Sequence, residues 1–141
     1  MKYLFLDFDG VLHHTNIQSI QFENLPILAE GLKDYIEQFR IVISSSWREH
    51  HTYEFLIHIF PFNLRKIIVG ITPYRHDGMS PSGRYKEIKD YCQTHSIEDS
   101  QWMAFDDMAV LFPEHCPNLI KTNPYTGITE KEILKFIQFL G

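Results

Sequence analysis

Residues 3–12 read YLFLDFDGVL. Tyr3 to Phe8 form a nearly continuous apolar run, the pattern of a strand buried on both faces of a parallel sheet. Two carboxylates, Asp7 and Asp9, interrupt its end before Gly10 breaks it. A buried strand has no structural use for paired carboxylates, so the strand stops being structural at Asp7. Phe8 can return to the core, and Gly10, free of Cβ sterics, lets the chain turn so that Asp9 faces the same pocket.

The rest of the chain repeats the theme of short apolar strands divided by helical patterns. Pro26 opens a segment with Leu28, Leu32, Tyr35, Ile36 and Phe39 at three- and four-residue spacing, which predicts an amphipathic helix. A strand, RIVIS, follows and runs into Ser44, Ser45 and Ser46. Phe55, Leu56, Ile59 and Phe60 mark a second helix closed by Pro61, and KIIVGI predicts a third strand. A Pro-, Gly- and Ser-rich loop from Thr72 to Gly83 leads into a helix carrying Tyr85, Ile88 and Cys92. QWMAFDD is a fourth strand and NLIKT a fifth, and Thr129 with Glu132 makes a capping box for a last helix bearing Ile133, Leu134, Ile137 and Leu140. Alternation at this spacing implies right-handed βαβ units. The expected fold class is therefore α/β, an open parallel sheet of about five strands in a three-layer α/β/α arrangement.

The 141 residues suit a single domain over positions 1–141, and 44% hydrophobic content is enough for one enclosed core. A net charge of -5 means that a polyanionic partner would have to be met by a local basic patch. Cys92 and Cys116 lie at no metal-ligand spacing and make no disulfide framework, and neither a signal-peptide core nor a run of about 20 apolar residues occurs. The expectation is a cytoplasmic protein with no membrane association.

Ligands of open α/β sheets bind beyond the carboxyl ends of the strands. That rim collects Asp7 and Asp9 from the first strand, the three serines from the second, and Asp106 and Asp107 from the fourth. Four carboxylates brought together repel one another unless a hard cation joins them, and Mg²⁺, which takes a few carboxylates plus phosphate oxygens and water, is the natural one. With a metal, an aspartate can serve as nucleophile in phosphoryl transfer and a second as acid and base.

DFDGVL resembles the first motif of the haloacid dehalogenase-like (HAD) superfamily of phosphohydrolases, Asp-x-Asp-Gly after a buried strand. IVISSSW is similar to its second motif and MAFDD to its fourth. Within the superfamily, SSSWR, GRYKEI, WMAFDD and GITEKEI together resemble the compact HAD domains of Swiss Army Knife RNA-repair type. The resemblance implies a Rossmann-like sheet, Mg²⁺ held by Asp7, Asp9 and Asp106 or Asp107, Asp7 as nucleophile, Asp9 as general acid and base, and a serine on the phosphoryl group. Asp9 favours phosphate chemistry over dehalogenation, since true dehalogenases lack that residue.

Counting back from Trp47 favours Ser45 for the serine role, with Ser44 next and Ser46 left to loop and capping duty or substrate contact. The superfamily usually places Lys in its third motif; the candidates here are Arg84, Lys86 and Lys89. Arg84 shares the inward face of Ile88 and is the expected cation, with Lys86 as a substrate contact. The eight histidines read as surface or loop groups, His13 and His14 being near enough to the first motif to line an entrance, and His50 and His51 poorly spaced for zinc. Trp47 and Trp102 read as packing residues and Arg48 as a residue near the rim. No gap between motifs has room for a cap domain, so the site should stay open to phosphorylated small molecules or nucleic-acid ends. A member that binds phosphorylated ligands without turnover, and a phospho-receiver domain, are the alternatives; the latter would want an aspartate where the third strand ends VGITP.

Overall fold

The computed structural model describes residues 1–15 and 20–141; part of the polar loop expected after Gly10 lies outside them. Five strands, β1 (Lys2–Leu6), β2 (Phe39–Ile43), β3 (Ile68–Ile71), β4 (Trp102–Asp106) and β5 (Leu119–Lys121), form one parallel sheet in the order β3-β2-β1-β4-β5. The helices are α1 (Leu25–Leu32), α2 (Tyr53–Ile57), α3 (Phe62–Arg65), α4 (Gly83–His95) and α5 (Glu130–Leu140). Strand order reverses between β1 and β4, which makes the crevice at their carboxyl ends the natural ligand position.

Alternating side chains divide the core into two layers. Leu4, Leu6, Ile41, Ile43 and Phe105 pack on one face with Leu28 and Leu32 of α1, Leu56, Leu64, and Ile133 and Phe136 of α5. Phe5, Val42 and Ala104 pack on the other with Ile88, Tyr91 and Cys92 of α4 and with Leu111 and Phe112. The result is the three-layer α/β/α architecture. No inserted cap is present among the described residues, and no described helix is long and apolar enough to cross a membrane. Both cysteines are free thiols.

The boundaries differ in two places. The first helical pattern extends on paper to Phe39, but α1 ends at Leu32 and passes through a 3₁₀ turn, Lys33–Tyr35. Phe39 instead begins β2 and meets Phe136 edge-on at 5.2 Å, because an apolar residue at helical spacing serves equally well as the first buried residue of the next strand. The second pattern breaks after Ile57, and Pro61 opens α3 as its N-cap as well as ending the preceding turn. The capping box of α5 is present, with the Thr129 backbone N–H donating to Glu132 at 2.9 Å.

Candidate active site

Asp7 is the first residue past β1, and its N–H donates to the Phe105 carbonyl at 3.2 Å, prolonging the β1–β4 ladder so that Asp7 comes beside Asp106. Phe8 plunges into the core. The N–H groups of Val11 and Leu12 both reach its carbonyl, and Gly10, at φ +77°, closes the turn. A Cβ on Gly10 would lie 2.4 Å from the Asp107 side chain, so glycine is required for the two acidic segments to meet. The Thr122 hydroxyl, at the end of β5, donates to the Gly10 carbonyl at 2.7 Å and pins this turn.

Asp7, Asp106 and Asp107 each offer an oxygen, all within 4.8 Å of one another. Asp7 and Asp106 are buried, and Asp107 is partly so. Burial, then repulsion from Asp106, pushes the Asp7 carboxyl well above its ordinary value, with Arg84 opposing. Burial pushes Asp106 up to about 6, against the stabilising pull of Arg84 and the Met108 N–H. Asp107 is raised too, again chiefly by burial. Three crowded carboxylates facing one guanidinium are short of positive charge, and an all-oxygen donor set of this kind suits a hard divalent cation. The Asp9 side chain stands outside this triad. Its Oδ1 accepts from His13 Nε2 at 2.7 Å and from Trp47 Nε1 at 3.1 Å, and the His13 bond above all holds its carboxyl below the usual value.

Among the described residues the cation paired with Asp7 and Asp106 is Arg84. The backbone of Asp77 and Gly78 folds over the start of α4 so closely that a Cβ on Gly83 would lie 2.2 Å from the Asp77 carbonyl, and this sets Arg84 in the first turn facing the rim. Its guanidinium lies 2.7 Å from Asp106 Oδ2, 3.3 Å from Asp7 Oδ1 and 2.9 Å from the Ser44 carbonyl. Burial alone would make it less basic, but Asp7, Asp106 and Glu87 outweigh this and raise it. Lys86 does not join it: its ammonium, half exposed, is turned to Asp77 at 3.5 Å, because a position two residues on in a helix points away from Arg84. Lys89 pairs with Asp99 on the surface.

The serines separate by what their hydroxyls do. Ser45 Oγ accepts the Trp47 N–H at 3.2 Å and caps the 3₁₀ turn Ser46–Glu49. Ser44 donates its N–H to Leu6, so it extends β2 alongside Asp7, and its buried Oγ has no hydrogen-bond partner. Of these two hydroxyls, that of Ser45, the serine expected from the spacing to Trp47, is engaged in the cap, and that of Ser44, on the strand beside Asp7, is buried without a partner. Ser46 lies farther along, in the wall of a recess of about 60 Å³ shared with Arg48, Arg84, Tyr74 and Glu87. A larger, mostly apolar cleft, about 680 Å³, runs along α1 and α3 and is lined by none of Asp7, Asp9, Asp106 and Asp107.

A family profile described as "HAD domain in Swiss Army Knife RNA repair proteins" matches residues 3–133. The chain belongs to that family. HAD domains are generally hydrolases of phosphatase type, and in this HAD domain Asp7, Asp106 and Asp107 stand together at the carboxyl ends of β1 and β4. No curated protein matches the chain.

Three residues around the HAD site were not evident from sequence. His13, expected at the surface or in a loop, lies in the loop after Gly10 and is buried, and Trp47 is a hydrogen-bond donor to Asp9 as well as a packing residue. Glu87, one turn after Arg84, is buried and holds both Arg48 and the Arg75 backbone N–H. Its spacing of three from Arg84 is a signal that a helical reading could have used.

Proposed function

We propose that the protein is a Mg²⁺-dependent phosphatase that passes the phosphoryl group through Asp7. The observation that carries this reading is the cluster of Asp7, Asp106 and Asp107 against the buried Arg84, with a fourth carboxylate, Asp9, outside it. Asp7, Asp106 and Asp107 would hold the metal, which when bound supplies positive charge to the phosphoryl oxygens. An oxygen of Asp7 attacks phosphorus as the bond to the leaving oxygen breaks, and Asp9 gives that oxygen its proton. In the second half Asp9 takes a proton from water, the water oxygen bonds to phosphorus, and the Asp7–phosphorus bond breaks to release phosphate. Arg84 would lend positive charge to Asp7 throughout, and a serine at the end of β2, Ser44 or Ser45, would donate to a phosphoryl oxygen; the unpartnered hydroxyl of Ser44 supports Ser44.

The RNA-repair association of the family points to phosphorylated nucleic-acid termini first. The protein's acidic charge makes small phosphate esters the competing class. The test is hydrolysis of an aryl phosphate with Mg²⁺ and with chelator, followed by oligonucleotides phosphorylated at either end and by sugar phosphates. The reading requires metal-dependent turnover that Asp7→Asn abolishes; full activity in that variant ends it. Binding of phosphorylated ligands without turnover under any divalent metal would favour a non-catalytic member, the reading that Arg84 in place of the usual lysine raises.

A further inference from the structure

Asp9 is gripped by one oxygen only. Its Oδ1 accepts from His13 Nε2 at 2.7 Å and from Trp47 Nε1 at 3.1 Å, while among the described residues no hydrogen bond reaches Oδ2. The direction of the His13 bond is set from its other side. The Phe22 backbone N–H donates to His13 Nδ1 at 3.1 Å, so Nδ1 is the acceptor and the proton of the neutral ring sits on Nε2, pointing at Asp9. Trp47 has a donor and no acceptor, so its bond has only one possible direction.

Both donors are held rigidly. His13 is 5% exposed and lies with Phe22 at 5.0 Å and Trp47 at 5.9 Å, and Trp47 packs in turn on Phe22 and on the core residue Phe8. Phe22 has φ 60°, a left-handed backbone that an aromatic residue rarely takes. Such strain persists where the surroundings over-determine it, and here Phe22 supplies the N–H that orients His13.

We infer that His13 and Trp47 are positioning residues for Asp9: by saturating Oδ1 they leave Oδ2 as the oxygen that carries the proton to the leaving group and back from water. An oxygen already accepting two hydrogen bonds has little room for a proton of its own, so the acidic hydrogen has one place to be, and general acid catalysis depends on that placement. In the first step the Oδ2–H bond breaks as the leaving oxygen gains the proton and departs from phosphorus; in the second, Oδ2 regains a proton from the attacking water. This inference rests on the phosphatase reading.

The test measures kcat/KM across aryl phosphates whose leaving groups run from nitrophenol to methoxyphenol, for wild type, Trp47→Phe, His13→Ala and His13→Gln. Trp47→Phe keeps a packing ring and removes only the donor; His13→Gln keeps a donor. A well-placed general acid is worth about 10²–10⁴-fold. Loss of one donor should therefore cost roughly 10- to 100-fold on the methoxyphenyl ester and under about threefold on the nitrophenyl ester. His13→Gln should recover most of what His13→Ala loses. Equal losses on every ester in Trp47→Phe, or no loss, would overturn the inference while leaving the phosphatase intact. A wild type inert toward all the esters would remove the phosphatase reading and this one together.

Discussion

Replacing Arg84 by Met removes the one guanidinium that bonds both Asp7 and Asp106 while keeping much of its stem. At 2.7 and 3.3 Å, with an effective dielectric of about 20, the two contacts represent about 6 and about 5 kcal/mol of gross attraction. Burying the ions costs several kcal/mol each, so most of this cancels in the intact protein. Taking away one partner leaves carboxylates buried and unpaired, at a net cost of about 3–5 kcal/mol. The cost should depend on pH. With its carboxyl pushed up to about 6, Asp106 is mostly neutral in the folded protein at about pH 5, where losing Arg84 removes little more than a hydrogen bond, about 1–2 kcal/mol. Urea unfolding without metal, followed by the fluorescence of Trp47 and Trp102, should show Arg84→Met destabilised by about 3–5 kcal/mol near pH 8 and by about 1–2 kcal/mol near pH 5. Mg²⁺ should restore part of the loss at the higher pH. A variant as stable as wild type near pH 8, or a loss independent of pH, would refute the charge argument.

Asp106→Asn should expose the pH dependence of that carboxyl directly. Because its folded value lies above 3.8, the fold holds this proton while the unfolded chain releases it, so wild type loses stability as pH rises from 3.8 to about 6. The gap between the two proteins should shift toward Asn by up to roughly 3 kcal/mol across that window, read by denaturation at stepped pH without metal. Gly10→Ala should weaken the thermal stabilisation gained from Mg²⁺, since a Cβ 2.4 Å from the Asp107 side chain must displace it; an unchanged Mg²⁺ response would contradict the packing described. Thr129→Ala should cost about 1 kcal/mol through the lost capping box of α5, measurable by urea unfolding and indifferent to metal.

The strands and the carboxylates were legible in the sequence because their signals are local. An apolar run that stops at a carboxylate marks both a buried strand and its rim, and that pattern located Asp7, Asp106 and Asp107 together. Arg84 was legible because helical spacing from Ile88 sets its face. Ser44 and Ser45 could not be separated, since three consecutive serines carry the same donor and only the path of the chain after β2 decides which hydroxyl becomes a cap. His13 and Trp47 were opaque for a different reason. Their partner is Asp9, and Trp47 is 38 residues from it, brought close by the β1–β2 pairing and an aromatic nest that no local period records. Phe39 shows the remaining ambiguity, a buried residue whose spacing fits a helix and whose place is the start of a strand.

The central claim, that Asp7 carries the phosphoryl group, is tested most directly by quenching the protein in acid during turnover of an aryl phosphate with Mg²⁺, reducing it with borohydride, and locating the modified residue by peptide mass spectrometry. The mechanism predicts reduction of an acyl phosphate at Asp7 and at no other carboxylate, absent without substrate. Steady turnover with Asp7 unmodified, or a label on Asp9 or Asp106, would contradict it.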